Sequence, residues 1–243
     1  MSVGSSCDEI HLIFSRLTAE KDFLDQLRQM LSPDEKERAR LFRFDEHRNS
    51  FIVSRGLLRI ILGKWIGAES LAIRFIYSSR GKPAVPNSHR VRFNLSHSGD
   101  FVVYALAMGQ ELGVDVELIR PVENMEDMAQ HSFSAEECRE LSTVPHDRRT
   151  KAFFDCWTRK EAFIKAIGHG LLYPLDRFQV TLLPDEPAGF VSINGRPGSE
   201  TQWSLHDVSP VKEYAAALAV ERRSSRIRAW KFESPVECAR FYR

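Results

Sequence analysis

The chain has 243 residues, 43% apolar and 28% charged, which is enough apolar material for a sizeable core and excludes a wholly disordered chain. Its 34 basic residues face 33 acidic ones, so no net field favours a nucleic-acid partner, although a local basic pocket stays open. Residues 1–9 hold no apolar signal core and no run of about 20 apolar residues occurs, which predicts a soluble, cytoplasmic protein with no membrane span.

In chain order, Ser32-Pro33-Asp34-Glu35 starts a helix: a capping serine, proline in the first turn, and glutamate three residues on. This helix runs through Leu41. Asp45 caps a longer one, on which Phe51, Leu58, Ile61, Leu62 and Trp65 recur at helical spacing before Gly67 ends it. Strands are predicted over 71–77, 91–95, 101–107 and 113–118. Ser134 and Glu137 have capping-box spacing and open a short helix. A long helix follows over about 148–167, bearing Phe153, Phe154, Trp157, Phe163 and Ile164, and Gly168 and Gly170 stop it. Strand-like stretches lie at 177–183, 190–193, 203–208, 214–220 and 226–232. Helices followed by strands occur twice, so the fold class is α+β in two halves of similar size, 1–118 and 119–243. The halves share no sequence identity, so their duplication is inferred from element order.

The four cysteines, Cys7, Cys138, Cys156 and Cys238, have no Cys-x-x-Cys spacing and read as reduced thiols. Chemistry concentrates elsewhere. In Gly113-Val114-Asp115-Val116-Glu117, strand alternation points both carboxylates to one face, about 7 Å apart. They repel each other unless solvated or neutralised, and a hard cation with oxygen ligands, such as Mg²⁺, would neutralise them. A solvated acidic edge strand fits the same residues. In Trp157-Thr158-Arg159-Lys160-Glu161-Ala162-Phe163-Ile164-Lys165, Glu161 and Lys165 share a helix face beside an apolar stripe. That places a carboxylate where it could serve as ligand or base, or merely as a surface ion pair of about 0.3–0.5 kcal/mol.

Three further stretches are candidates. Asn94-Leu95-Ser96-His97-Ser98-Gly99 ends a strand with hydroxyl and imidazole groups suited to an anion, or with an ordinary polar turn. No Gly-x-Ser-x-Gly elbow supports a serine nucleophile. Arg80-Gly81-Lys82-Pro83 holds a lysine on a constrained loop that lacks P-loop spacing. Lys36, Arg38, Arg40, Arg43, Arg48, Arg55 and Arg59 make the N-terminal helices basic, as a solvated face or a phosphate-binding one.

The order of these motifs resembles the 4′-phosphopantetheinyl transferases of the longer, monomeric type that activates surfactin synthetase. The resemblance spans about residues 30–185 and is most specific in Gly113–Glu117 paired with Trp157-x-x-Lys160-Glu161-Ala162. It implies transfer of the phosphopantetheine arm of coenzyme A to a serine of an apo carrier protein, with release of adenosine 3′,5′-bisphosphate. It implies a Mg²⁺ held by Asp115, Glu117 and Glu161, and a pyrophosphate contact from Lys165. Asp115, Glu161 and Lys165 would be catalytic, with Glu161 the general base and a metal-bound water or Glu137 as alternatives. The capping-box position of Glu137 favours a structural role. Lys82, Ser96 and His97 match coenzyme A phosphate contacts, Arg55 a nucleotide contact, and Arg38 a looser one. The implied fold is two similar halves, each a small antiparallel sheet on a long helix, with coenzyme A in the cleft: its nucleotide on the side of 1–118, and the Trp-x-x-Lys-Glu-Ala helix in 119–243. Ser132-Phe133-Ser134 departs from relatives with two aromatics there, at the expected border of the carrier-docking surface. A metal-dependent phosphoesterase and a non-catalytic coenzyme A or carrier-binding protein are the competing readings. The intact set of three acids and Lys165 argues against the last.

Overall fold

The computed structural model describes residues 9–86, 90–170, 173–193, 202–221 and 226–242; Cys7 lies outside them. In chain order the elements are β1 (Glu9–Arg16), α1 (Lys21–Gln29), α2 (Pro33–Arg40), α3 (Asp45–Ile66), β2 (Ile76–Tyr77), β3 (Pro83–Ala84), β4 (Val91–Ser98), β5 (Phe101–Met108) and β6 (Leu112–Leu118). They continue with α4 (Met125–Ser132), α5 (Ala135–Thr143), α6 (His146–Ala166), β7 (Phe178–Val180), β8 (Phe190–Ile193), β9 (Ser204–Asp207), β10 (Tyr214–Val220), β11 (Arg226–Phe232) and α7 (Pro235–Tyr242).

Local chemistry accounts for several boundaries. The Glu35 carboxylate accepts from Ser32 N at 3.0 Å, and that of Glu137 from Ser134 N at 2.7 Å, so both predicted capping boxes form. Gly67 adopts φ +66° and ends α3. Two expectations need correction. Phe44, not Asp45, is the N-cap of α3; Asp45 is already helical and pairs with Arg48. The strand expected over 71–77 is reduced to Ile76–Tyr77, preceded by a 3-10 turn at Ser70–Ala72. The reason is a tertiary contact: the carbonyls of Ser70 and Ile73 each accept from the buried Arg59 guanidinium at 3.0 Å, which holds that backbone out of a sheet.

Two sheets dominate, one ordered β11-β1-β5-β4 and the other β6-β10-β9. They face each other across a core that includes Leu12, Phe14, Val103, Val114, Val116 and Leu218. The outer face of the first sheet is covered by α3, with α1 and α7 beside it; the outer face of the second is covered by α6. The result is a helix–sheet–sheet–helix stack of the predicted α+β class. Chain order and spatial order part at two places. β6 closes the first half of the sequence but hydrogen-bonds antiparallel to β10. β11 returns to pair parallel with β1, and α7 packs on α3. The first sheet is therefore mixed.

The alternation along β6 decides what meets α6. Val114 and Val116 point into the core between the sheets. Gly113, Asp115 and Glu117 consequently face the helix. A Cβ on Gly113 would overlap the Ala162 carbonyl oxygen and the Ala166 nitrogen, and would lie 2.9 Å from Ala166 Cα. These are backbone atoms that no rotamer change can move. Gly113→Ala is expected to lower the unfolding free energy by about 3 kcal/mol, the upper end of overpacking costs, measured by urea denaturation. An unchanged midpoint would show that α6 shifts freely.

Candidate active site

Close approach at Gly113 brings the acids of β6 against the charged face of α6. Asp115 is 2% exposed. Its Oδ1 accepts from Lys165 Nζ at 2.6 Å and from Ser96 Oγ at 2.7 Å, while Lys165 Nζ also donates to Ser96 Oγ at 3.0 Å. Glu117 Oε2 accepts from Ser98 Oγ at 2.7 Å. Asn94 Oδ1 accepts from Val114 N at 2.9 Å, and Ser98 Oγ from Leu118 N at 3.1 Å. Asn94, Ser96 and Ser98, alternate residues of β4, thus bond β6 through their side chains. Asn94 is a residue of this network that the sequence reading did not single out; Ser98, read there as one of the hydroxyls suited to an anion, instead donates to Glu117.

Glu161 is buried, and its Oε1 has no hydrogen-bond partner; the same holds for Asp115 Oδ2. Burial first, then the charge of Asp115, pushes the Glu161 carboxyl up to about 7, while Lys165 pulls against this. Burial also raises Glu117, and the Ser98 hydroxyl opposes that rise. Two unpartnered, buried carboxylate oxygens facing one charged site are the donor chemistry of a hard divalent cation. As the side chains stand, no group of three His, Cys, Asp or Glu among the described residues forms a metal-holding set; the Lys165 ammonium sits on Asp115 instead.

The remaining predicted residues surround this centre unevenly. His97 is exposed, next to Ser96 on β4. Desolvation by its surroundings and then the Lys165 charge lower its pKa, and His47 on α3 adds to this. His47 is a neighbour of the site that the sequence reading missed. Arg55 is buried on α3, where its Nη2 donates to Tyr77 Oη at 2.7 Å and its guanidinium lies 4.9 Å from the Phe75 ring. Glu35 is shared: Arg59 Nε donates to Oε2 at 2.7 Å, and Arg55 Nε lies 3.5 Å from Oε1. Tyr77, Lys82, Arg92, Phe93 and Glu111 line a cavity of about 290 Å³. Lys82 Nζ donates to Ala166 O at 2.9 Å, and burial lowers its pKa. Arg38 is exposed on α2 with its guanidinium 5.4 Å from the Phe51 ring; none of its described contacts reaches the carboxylates.

Glu137 is 1% exposed. Its Oε2 lies 2.8 Å from Lys160 Nζ, and its Oε1 accepts from Val180 N at 2.9 Å. It is locked into the packing of α5 on α6, as its capping-box spacing indicated. Cys138, Cys156 and Cys238 are free thiols.

The structure thus brings the strand carboxylates Asp115 and Glu117 together with Glu161 and Lys165 of α6, and sets Arg55 apart beside Tyr77 and Glu35. The sequence profile of the 4′-phosphopantetheinyl transferase superfamily matches residues 111–219, and that of the 4′-phosphopantetheinyl transferase N-terminal region matches residues 18–109. The 4′-phosphopantetheinyl transferase HetI of Nostoc sp. is 37% identical over 216 residues, covering 88% of each chain. The 4′-phosphopantetheinyl transferase Sfp of Bacillus subtilis is 33% identical over 169 residues, covering 70% of this chain and 73% of its own. The chain belongs to the 4′-phosphopantetheinyl transferase superfamily, a coenzyme A-utilising family, and is an enzyme of the long, Sfp-like type. Among the described residues no helix is long and apolar enough to cross a membrane.

Proposed function

We propose that this enzyme moves the 4′-phosphopantetheine arm of coenzyme A to a serine hydroxyl of an apo carrier protein and releases adenosine 3′,5′-bisphosphate. The observation that carries this reading is the meeting of Asp115 and Glu117 on β6 with Glu161 and Lys165 on α6. The nucleophile belongs to the partner, which agrees with the lack of a serine elbow in this chain. The serine oxygen attacks the phosphorus that bears the pantetheine arm. The bond from that phosphorus to the bridging oxygen of the pyrophosphate breaks, and the oxygen leaves with the nucleotide.

Each residue has a role in this step. Lys165 holds a pyrophosphate oxygen with a donor not engaged by Asp115. His97 offers a hydrogen bond to the same phosphates, and Ser96 joins it by turning its hydroxyl proton from Asp115. Glu161 accepts the serine proton, directly or through a water that the cation would hold; its raised carboxyl pKa belongs to the site without a cation. Asp115, Glu161 and Glu117 would hold Mg²⁺, which when bound offsets phosphate charge. Arg55 and Arg38 bind the nucleotide end. In this reading residues 1–118 serve the nucleotide, 119–243 supply α6, and the enzyme acts as a cytoplasmic monomer.

Arg55→Lys is expected to weaken coenzyme A binding about tenfold, or about 1.4 kcal/mol, with kcat at saturating coenzyme A unchanged. Calorimetry and steady-state kinetics check this; an unchanged dissociation constant removes Arg55 from the nucleotide site. The reaction itself is tested by intact-protein mass spectrometry of an apo carrier with enzyme, coenzyme A and Mg²⁺. A gain of one phosphopantetheine arm, absent with EDTA, is expected. Hydrolysis of coenzyme A without carrier modification would favour a phosphoesterase.

A further inference from the structure

Between β4 and β5 the chain turns in two residues, Gly99 and Asp100. The turn belongs to the first sheet, but a residue of the second sheet holds it. Tyr214, the first residue of β10, is 5% exposed, and its Oη accepts from Asp100 N at 3.1 Å. Its ring meets that of Phe101 edge to face, with centroids 5.0 Å apart. Gly99 has φ +52°, and a Cβ there would lie 2.6 Å from Tyr214 Oη and 3.3 Å from Leu118 Cδ2. The phenol thus fills the space that a side chain at 99 would need. The turn is tied to it by shape as well as by a hydrogen bond. A buried tyrosine hydroxyl usually finds a polar partner, and among the apolar residues Phe101, Val116 and Leu118 that partner is the amide of this turn.

The turn begins directly after Ser98. The Ser98 hydroxyl works in both directions: it accepts from Leu118 N at 3.1 Å and donates to Glu117 Oε2 at 2.7 Å. Leu118 in turn lies opposite Tyr214 in the ladder of β6 and β10. A closed circuit results. Tyr214 holds Asp100, the turn sets Ser98, and Ser98 holds both Glu117 and the backbone of β6 beside Tyr214.

We infer that Tyr214 is a positioning residue: through the turn between β4 and β5 it sets Ser98, and so orients the Glu117 carboxylate toward α6. The kinetic part of the test rests on the transfer reaction proposed above; the exchange part does not.

Tyr214→Phe keeps the ring and removes the oxygen. Hydrogen exchange without coenzyme A or Mg²⁺ is expected to quicken about tenfold at the Asp100 and Leu118 amides, as for the loss of one hydrogen bond. The control is Ile119 N, which donates to Glu213 O at 2.8 Å at the same strand end and owes nothing to Ser98; its exchange is expected to change much less. In the transfer reaction kcat is expected to fall about tenfold, less than the roughly hundredfold cost of a 1 Å misplacement, with the KM for coenzyme A changed less than about twofold. Ser98→Ala is expected to lower kcat by a similar factor. The double variant is expected to fall no further than either single change, because the two residues act in series. A double variant near the product of the single effects, or a Tyr214→Phe kcat within twofold of the natural enzyme, overturns the inference. So does a Phe variant that does not fold, or one in which Ile119 quickens as much as Leu118, since the hydroxyl would then support the core as a whole. Faster exchange confined to Asp100 and Leu118, together with a natural protein that modifies no carrier, would uphold the latch and remove the transfer reading.

Discussion

Asp115→Ala is expected to cut carrier modification about a thousandfold, the upper range for removing one preorganised electrostatic group, while the protein stays folded. Asp115 Oδ1 is the anionic partner of Lys165 and Ser96, and its Oδ2 is one of the two buried oxygens open to a cation. Without it, Lys165 loses its anchor and Glu161 loses a cation-holding partner. Asp115→Asn keeps the shape and is expected to fail nearly as badly, which would locate the effect in charge. Time courses by mass spectrometry, with circular dichroism as a folding control, measure both. Near-normal turnover by Asp115→Ala would remove Asp115 from the reaction.

The same centre sets a pH dependence. The Glu161 carboxyl is raised to about 7, so it is mostly protonated below that pH and charged above it. A proton there competes with Mg²⁺. Mg²⁺ affinity is therefore expected to rise from pH 6 to pH 8, by up to about tenfold per unit below the pKa. Glu161→Gln is expected to flatten this dependence; calorimetric titrations at the two pH values decide it.

Lys160→Met is expected to lower the unfolding free energy by about 3–5 kcal/mol, the usual cost of stripping one partner from a buried ion pair. Lys160 is 0% exposed. Its ammonium lies 2.8 Å from Glu137 and donates to Leu175 O at 2.7 Å and Phe178 O at 2.6 Å. Its removal strands the Glu137 carboxylate in the packing between α5, α6 and β7. The double variant Lys160→Met with Glu137→Gln should be less destabilised than the sum of the single changes, because no lone charge remains. Urea denaturation of all three proteins tests this, and a single-variant loss under about 1 kcal/mol would mean that water reaches the site. Transfer by the folded fraction should persist, which separates Lys160 from its neighbour Glu161. It also leaves Glu137 no part as a base.

Residues close in sequence carried their own information. Ser32 with Glu35 and Ser134 with Glu137 formed the expected capping boxes, because the donor and acceptor lie three residues apart. Strands 190–193, 214–220 and 226–232 have the predicted bounds. By contrast, α1 and α4 went unread: both are short and neither has a side-chain cap bond, although Phe23, Leu24 and Leu27 of α1 recur at helical spacing. β1 and α7 also went unread. β1 is an almost wholly buried strand whose identity depends on partners at both edges, β5 and β11.

By itself the sequence determined the class of fold and the family, and it singled out Asp115, Glu117, Glu161 and Lys165 as candidates, since motif order and side-chain periodicity are properties of nearby residues. Only the tertiary structure decided what those groups touch. Lys165 reaches Ser96 from 69 residues away, and Lys82 reaches Ala166 from 84. Whether Arg59 would hold residues 70–73 out of a sheet, or Lys160 would be a structural cation beside the buried Glu161 of the candidate site, depended on how α2, α3, α5 and α6 packed. Burial and the contacts between distant elements arise only when the sheets and helices are assembled, so no local pattern encodes them.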